Sequence, residues 1–358
     1  MRVAIDATPL IGPRTGIGVF VEGLLRSIQN DRPGEVDIQV AEYTLSLKAR
    51  LQGNTRGYWI PLPAAASSLV WRAFSGPKIE KFVGDIDVVH GTNFVVPPSK
   101  VPRVVSVHDL SFLNDSRRSP NSGARFDRSV RDAVKSGATI HTISEYVAQE
   151  IRDRYLAQDI RVVYPGVQQQ MAGVKPRSER PILIVIGTTD KRKGLLDLVN
   201  AFGAIADLNE NVELQIVGPP GDAENELDQS VKMLPSTIRS RVHRIGFVER
   251  EQRDQLISNA TVLVHPSHYE GFGFPVLEAM SMGTPVVTTT GGAIPEITGE
   301  AALKVPPGDV DALVDALTEL LANEKLRSTF TAAGLDRASK FTWTSTAQGM
   351  LDLYSSLL

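Results

Sequence analysis

The strongest constraint on this chain is a repeated alternation. Short, nearly all-apolar runs give way to helix-length amphipathic stretches, and the series runs twice. "RVAID" (2–6), "DIQVAEY" (37–43), "IDVVHG" (86–91), "RVVSVHD" (103–109), "TIHTIS" (139–144) and "IRVVYPG" (160–166) read as strands. "GVFVEGLLRSIQ" (18–29) and "YVAQEIRDRYL" (146–156) read as helices between them. After residue 180 the pattern restarts with "PILIVIG" (181–187), "VELQIVG" (212–218), "RVHRIG" (241–246), "TVLVHPS" (261–267) and "PVVTT" (285–289), again with helical stretches between. A strand apolar on both faces needs cover on both faces, so the pattern predicts α/β domains with parallel sheets between helices. The joint is "QQQMAGVKPRSERP" (168–181), polar, without periodicity and carrying two prolines. The expected organisation is therefore residues 1–168, a linker at 169–180, and residues 181–341. Two doubly wound domains would face each other across a cleft at the carboxyl ends of their strands, where such sheets take ligands.

At 358 residues the chain exceeds one ordinary core, which agrees with two domains. No apolar run is long enough to span a bilayer. "MRVAIDATPL" turns polar at Asp6, so it reads as a first strand and not a secretory leader. The absence of cysteine excludes disulfides and thiolate metal sites and fits a reducing cytoplasm. A net charge of −3 argues against nucleic acid as a partner. Charge is uneven: residues 1–170 carry 21 Lys+Arg against 17 Asp+Glu, and the remainder 17 against 24. A basic front half suits an anionic acceptor or a membrane surface. The segment "SLVWRAFSGPKIEKF" (68–82) and arginines 117, 118, 125, 128 and 131 read either as such a peripheral membrane contact or as an ordinary amphipathic helix and solvated loop.

The chemistry-bearing motifs fall at predicted strand ends. "TGIGVF" (15–20) opens a helix, and Gly16 and Gly18 would let backbone N–H groups approach an anion; the plain alternative is a tight turn. A nicotinamide-type fingerprint would require glycine where Val21 stands. His108, in "HDL", is either a core histidine or, beside Asp109 at the cleft end of its strand, a functional one. "GTTDKRKG" (187–194) sets Lys191, Arg192 and Lys193 before a helix N-terminus, an arrangement suited to phosphate. "EGFGFPVLE" (270–278) brackets a glycine-rich turn with Glu270 and Glu278. Pro275 fits a first helical turn, where its missing N–H is not needed. The stretch offers main-chain donors to an anion and a carboxylate on either side for paired hydroxyls, as in a diphosphate flanked by sugars. "DID" (85–87) leads straight into a strand, and the six histidines are scattered, so no metal site is expected.

The run "EGFGFPVLEAMSMGTPVV" resembles the E-x7-E signature of glycosyltransferase family 4, the retaining nucleotide-sugar transferases of the GT-B fold. "TGIGVFVEGLL", "SVHDLSFL", "TISEY", "VVYPGV", "GTTDKRKG", "IVGPPG", "RIGFVEREQ" and "FTWTSTAQGMLDLY" follow the family's order along nearly the whole chain. The resemblance implies two Rossmann-like domains, an acceptor-side one first, with a last helix (about 344–357) packing back on it. By the same resemblance Gly16 and Gly18 approach the donor diphosphate, and His108 lies near the transferred sugar. Arg192 and Lys193 neutralise the diphosphate. Glu270 meets the hexose, and Gly271, Phe272, Gly273, Phe274 and Leu277 bind the donor beside it. Glu278 takes the ribose, and Gly246, Phe247 and Val248 hold the base. Two positions depart from the family: Thr188 stands where many relatives carry arginine, and Gln168 where an aspartate is usual.

The resemblance implies hexosyl transfer with retention and without a metal. The nucleotide sugar is a co-substrate and no further cofactor is expected. GDP-mannose is favoured, with a UDP-sugar as second choice, and the acceptor is a glycan or lipid-linked glycan. The expected place of action is the cytoplasm, at the inner membrane face when the acceptor is lipid-linked. The alternatives on the same fold are a nucleotide-sugar epimerase, which would need no acceptor, and a non-catalytic nucleotide-sugar-binding regulator.

Overall fold

The computed structural model describes residues 1–12, 15–30, 37–53, 56–60, 76–113, 120–169 and 180–358. Residues 68–75 of the candidate amphipathic segment, Arg117, Arg118 and residues 170–179 of the linker lie outside these. The chain divides into two compact units: Met1–Gly166 together with Phe341–Leu358, and Val167–Lys340.

In the first unit, β1 (Arg2–Asp6), β2 (Gln39–Thr44), β3 (Tyr58–Trp59), β4 (Val88–Gly91), β5 (Arg103–Ser106), β6 (Thr139–Thr142) and β7 (Ile160–Val162) form a parallel sheet. Their order is β3-β2-β1-β4-β5-β6-β7, so the chain winds outward from β1 in both directions and reverses between β1 and β4. Every residue of β4 and β6 is buried, as strands covered on both faces require. Two-residue β3 is too short to show any alternation, and the sequence pattern gave no sign of it. β5 ends at Ser106, so His108 sits beyond the sheet in a loop. Arg131, one of the basic-surface candidates, is engaged by Asp127 at 3.0 Å, and its guanidinium covers the Tyr155 ring.

The helix Gly16–Asn30 packs against the C-terminal helix Trp343–Ser355, and Gly23 makes the approach possible, since a Cβ there would enter the Trp343 ring. Thr342 caps that last helix by accepting from Ser345 N–H at 3.1 Å, and Thr346 Oγ1 donates to the Tyr164 carbonyl at 2.8 Å.

A buried polar chain ties the same helix to the middle of the sheet. His141 Nε2 faces the Val163 carbonyl at 3.4 Å, and a carbonyl only accepts, so this nitrogen carries the proton. His141 Nδ1 then accepts from Ser106 Oγ at 2.8 Å. Ser106 Oγ in turn accepts from His90 Nε2 at 2.7 Å, and His90 Nδ1 accepts from Tyr354 O–H at 2.7 Å. Each of the four side chains is 0% exposed, and the direction of every bond is fixed. Burial, which penalises the charged imidazole, pushes His141 down to about 3 and holds His90 well below its ordinary range. Both rings are therefore neutral.

In the second unit, β8 (Ile182–Ile186), β9 (Glu213–Val217), β10 (Val242–Gly246), β11 (Val262–His265), β12 (Val286–Thr289) and β13 (Leu303–Val305) form a parallel sheet ordered β10-β9-β8-β11-β12-β13. The first turn outward goes through β9 and β10, and the chain then returns to β11 on the other side of β8. The sheet thus reverses between β8 and β11, the place where open α/β sheets open a crevice for ligands. Leu183, Val185, Leu198, Phe202, Leu214, Val262 and Leu317 form the core beneath. β13, three residues long, is the strand the sequence reading missed here.

Two outcomes test the polar chain. Tyr354→Phe removes the donor to His90 Nδ1 and should lower stability by about 1–3 kcal/mol, read as a lower urea midpoint; a wild-type midpoint would contradict it. In the unfolded chain His141 titrates near 6.5, so its neutral contribution is complete above that pH and is lost as pH falls towards about 3. The stability gap between wild type and His141→Asn should therefore shrink below pH 6.5, by up to about 1.4 kcal/mol per pH unit; a gap independent of pH would contradict the assignment.

Candidate functional site

The loops after β8 and β11 flank the reversal point of the second sheet, and they are fastened together. After β8 the chain passes Gly187 and a short 3-10 turn, Lys191–Lys193, before the helix Leu195–Leu208. Gly194 joins turn and helix with φ 65°, and a Cβ there would strike the Pro266 carbonyl. Glycine is needed on both counts, backbone sign and close approach. His268 N–H donates to the Arg192 carbonyl at 2.8 Å across the same gap.

This stitching brings together side chains 77 and 78 residues apart in sequence. Lys193 Nζ lies 2.5 Å from Glu270 Oε1, and Arg192 Nη1 lies 3.4 Å from Glu270 Oε2. His265 Nε2 approaches Oε1 at 3.0 Å from the end of β11. Glu270 is 8% exposed, and burial by itself would push its carboxyl up. Lys193, then the His265 hydrogen bond and Arg192, outweigh burial and hold it well below the usual carboxylate range. His265 is lowered as well, with the opposite consequence for its charge: burial, opposed by Glu270 and helped by Lys193 and Arg192, keeps the imidazole neutral.

Lys191, the third residue of the basic run, points elsewhere and pairs with Glu226 at 3.1 Å. Thr188, at the family's arginine position, donates to Asp190 Oδ2 at 2.6 Å. The basic cluster is therefore a pair, Arg192 and Lys193, already neutralised in part by Glu270. The sequence reading had set the cations and the glutamate on different parts of a ligand; the fold puts them in contact.

The turn between the two glutamates has the backbone its glycines require. Gly273 sits at φ 100° immediately before the helix Phe274–Ser281, with Pro275 in the first turn. Phe272 is buried, and its ring lies 5.0 Å from that of Phe274. Leu277 is fully buried under the helix and so supports the site from inside without presenting a surface. Gly271 is buried too, and the Glu270 carbonyl accepts from Ala293 N–H at 2.9 Å, tying the turn to the loop after β12.

Glu278, one turn into the helix and 7% exposed, accepts from Arg253 Nη2 at 2.8 Å. Arg253 comes from the helix Arg250–Asn259, which follows Gly246, Phe247 and Val248 at the end of β10. Burial raises the Glu278 carboxyl, Arg253 opposes that rise and Asp254 adds to it. Phe247 is 56% exposed and Gly246 has φ 77°. Gln168, at the family's aspartate position, accepts from Arg250 at 2.6 Å.

Gly16, Gly18 and His108 belong to the first unit. Gly16 opens its helix and is exposed, while Gly18 is buried within the first turn. His108 is 5% exposed; its Nε2–H donates to the Thr92 carbonyl at 2.8 Å, and its ring meets Phe20 edge-on at 5.4 Å. Nδ1 is thereby the unprotonated nitrogen.

His265 and Arg253 were not singled out from sequence. His265 closes an apolar strand like any core residue, and Arg253 is one charge among many in "EREQRDQ". Among the described residues no group of three His, Asp or Glu side chains is placed to hold a metal ion.

Two units, each a doubly wound parallel sheet between helices, are the α/β architecture of the GT-B glycosyltransferases. Residues 14–170 match the profile of Glycosyltransferase Family 4, and residues 167–337 that of Glycosyl transferases group 1. The chain belongs to the family 4 glycosyltransferases and is an enzyme of that class. It is 28% identical over 285 residues to O-antigen chain mannosyltransferase B of Escherichia coli, covering 75% of this chain and 74% of that protein. It is 27% identical over 355 residues to the MMP alpha-(1->4)-mannosyltransferase of Mycolicibacterium hassiacum, covering 91% and 81%. The fold is similar to that of sucrose-phosphate synthase from Thermosynechococcus elongatus, with a TM-score of 0.76 and 19% identity over 99% of this chain and 98% of that one. It also resembles Anabaena Alr3699/HepE in complex with UDP and glucose, with a TM-score of 0.73 and 17% identity over the full length of both chains.

The Arg253–Glu278 contact yields a further expectation. Arg253→Leu removes the opposing charge, so the Glu278 carboxyl should titrate higher still. Carboxyl carbon NMR of the wild type and variant reads this directly; an unmoved Glu278 would show that the pair has no electrostatic role.

Proposed function

We propose that this enzyme moves a hexose, with mannose favoured, from a nucleoside diphosphate sugar to a hydroxyl of a sugar or lipid-linked glycan. In this reading the anomeric configuration is retained and no metal takes part. The observation that carries it is the Lys193–Arg192–Glu270 cluster at the reversal of the second sheet, at the head of the helix Leu195–Leu208.

As the bond between anomeric carbon and diphosphate lengthens, negative charge grows on the leaving phosphate and positive charge on the sugar. Lys193 and Arg192, next to a helix N-terminus, are the groups suited to meet that phosphate. Their approach to Glu270 gives them fixed positions before the donor arrives, so little reorganisation is needed during reaction. Glu270 itself offers its second oxygen and the adjacent backbone to the hexose hydroxyls. In this reading Glu278 accepts from ribose hydroxyls, and its hydrogen-bonded pairing with Arg253 supports that role. Phe247, exposed at the end of β10, offers a flat apolar face to a base. The acceptor attacks from the side the diphosphate leaves, and the departing phosphate takes its proton.

GDP-mannose is favoured because two of the relatives named above are mannosyltransferases; UDP-glucose is the second choice, since a protein of the same fold was captured with UDP and glucose. The cytoplasm is the proposed setting, at a membrane face where the acceptor is lipid-linked. Among the described residues no helix is long and apolar enough to cross a membrane.

A thermal-shift panel of GDP, UDP, GDP-mannose and UDP-glucose should show the largest stabilisation by the guanosine compounds. Proton NMR of the product from an α-linked donor should show an α-linkage, with turnover unaffected by EDTA. Lys193→Ala should lower kcat/KM by about 10²–10³-fold; activity within a few-fold of wild type would remove the leaving-group role. Glu278→Ala should weaken GDP binding with a smaller effect on kcat. Unchanged affinity with a lost rate would contradict the ribose assignment.

A further inference from the structure

His265 has no role in the donor reading above, yet its Nε2 lies 3.0 Å from Glu270 Oε1, the oxygen that also meets Lys193. We infer that His265 is a positioning residue for the transfer reaction, its Nε2–H holding Glu270 so that the carboxylate keeps Lys193 aimed at the leaving phosphate. This inference rests on the donor-site reading above and adds a residue to it.

The geometry is asymmetric. Glu270 Oε1 receives both Lys193 Nζ at 2.5 Å and His265 Nε2 at 3.0 Å, whereas Arg192 stands off Oε2 at 3.4 Å. Oε1 is therefore the anchored oxygen and Oε2 the one left for a ligand to compete for. A carboxylate flanked by two cations is ionised and only accepts, so the proton must reside on His265 Nε2. The ring cannot drift, because it is 1% exposed and its backbone lies in β11, where the His265 carbonyl also accepts from Thr288 Oγ1 at 2.9 Å. Its donor is thus fixed by the sheet, whereas the Lys193 ammonium sits on a four-carbon stem.

That difference matters when a diphosphate arrives. The phosphate and Glu270 compete for the same ammonium, and as Lys193 leans towards the phosphate its hold on Oε1 weakens. An uncharged imidazole donor has no attraction to the phosphate strong enough to leave Oε1. It keeps the carboxylate in place while Lys193 shifts, and adds no third cation to a cluster whose net charge is already positive. A side chain there for packing alone would need only the ring's shape; the positioning role needs the aligned N–H.

His265→Phe keeps a ring and removes the donor, and His265→Gln restores an N–H near the Nε2 position. With GDP-mannose as the probe and GDP release as the assay, His265→Phe should lower kcat by roughly 10- to 100-fold, with GDP affinity within about threefold of wild type. His265→Gln should recover most of that loss. Nitrogen-15 NMR of histidine-labelled enzyme should show His265 as the Nε2–H tautomer, with its resonance moved in Glu270→Gln and on addition of GDP. Wild-type turnover in His265→Phe, equal impairment of the Phe and Gln variants, or an Nδ1–H tautomer would each overturn the inference. Lys193→Ala, assayed alongside, separates the two readings. If it retains turnover, the donor-site reading fails; if it loses turnover while His265→Phe does not, only the positioning role fails.

Discussion

Keeping a carboxylate ionised inside a protein is expensive, several kcal/mol per ion even after relaxation, and the second unit is arranged around meeting that expense at Glu270. Two cations from the loop after β8 and one imidazole from the end of β11 surround it. The two cations could not reach it unless the two loops met at close range. Gly194 against the Pro266 carbonyl and the Arg192–His268 backbone bond supply that closeness. The position of the pair at the sheet reversal is therefore an electrostatic requirement as much as a topological one.

The first unit buries polarity in a different currency. Tyr354, His90, Ser106 and His141 form a neutral chain in which each donor has one acceptor, ending on a backbone carbonyl. No charge is buried there, and acid is its natural weakness, because the unfolded chain takes up protons that the folded rings refuse. In the second unit the cluster has charges and so can exchange partners with a charged ligand. A neutral chain suits fastening a helix to a sheet, and a charged cluster suits a site that must respond to phosphate.

Burial also explains why the two glutamates of one motif behave oppositely. Both are nearly inaccessible, yet Glu270 is held low by Lys193, His265 and Arg192, while at Glu278 burial prevails, with Asp254 adding to it against Arg253 and Arg250. Identical residues eight positions apart thus acquire different proton affinities from the elements packed on them, and different chemistry follows.

The sequence by itself determined the class of fold. Apolar runs alternating with helix-length amphipathic stretches call for a sheet between two layers of helix, and that logic is local enough to read without coordinates. It also marked Arg192, Lys193, Glu270 and Glu278, because charged residues interrupting glycine-rich strand ends are conspicuous. It missed β3 and β13, which are too short to show a period, and it took Lys191 for a member of a cluster from which Glu226 withdraws it. Only the tertiary structure decided that the cations and Glu270 are partners and that His265 and Arg253 complete the two pairs. A lone histidine at the end of a strand carries no mark of what it faces. His265 meets Glu270 only five residues on, but Lys193, Arg192 and Arg253 reach their glutamates across 77, 78 and 25 residues, through strand order and loop contacts that no local stretch of sequence records.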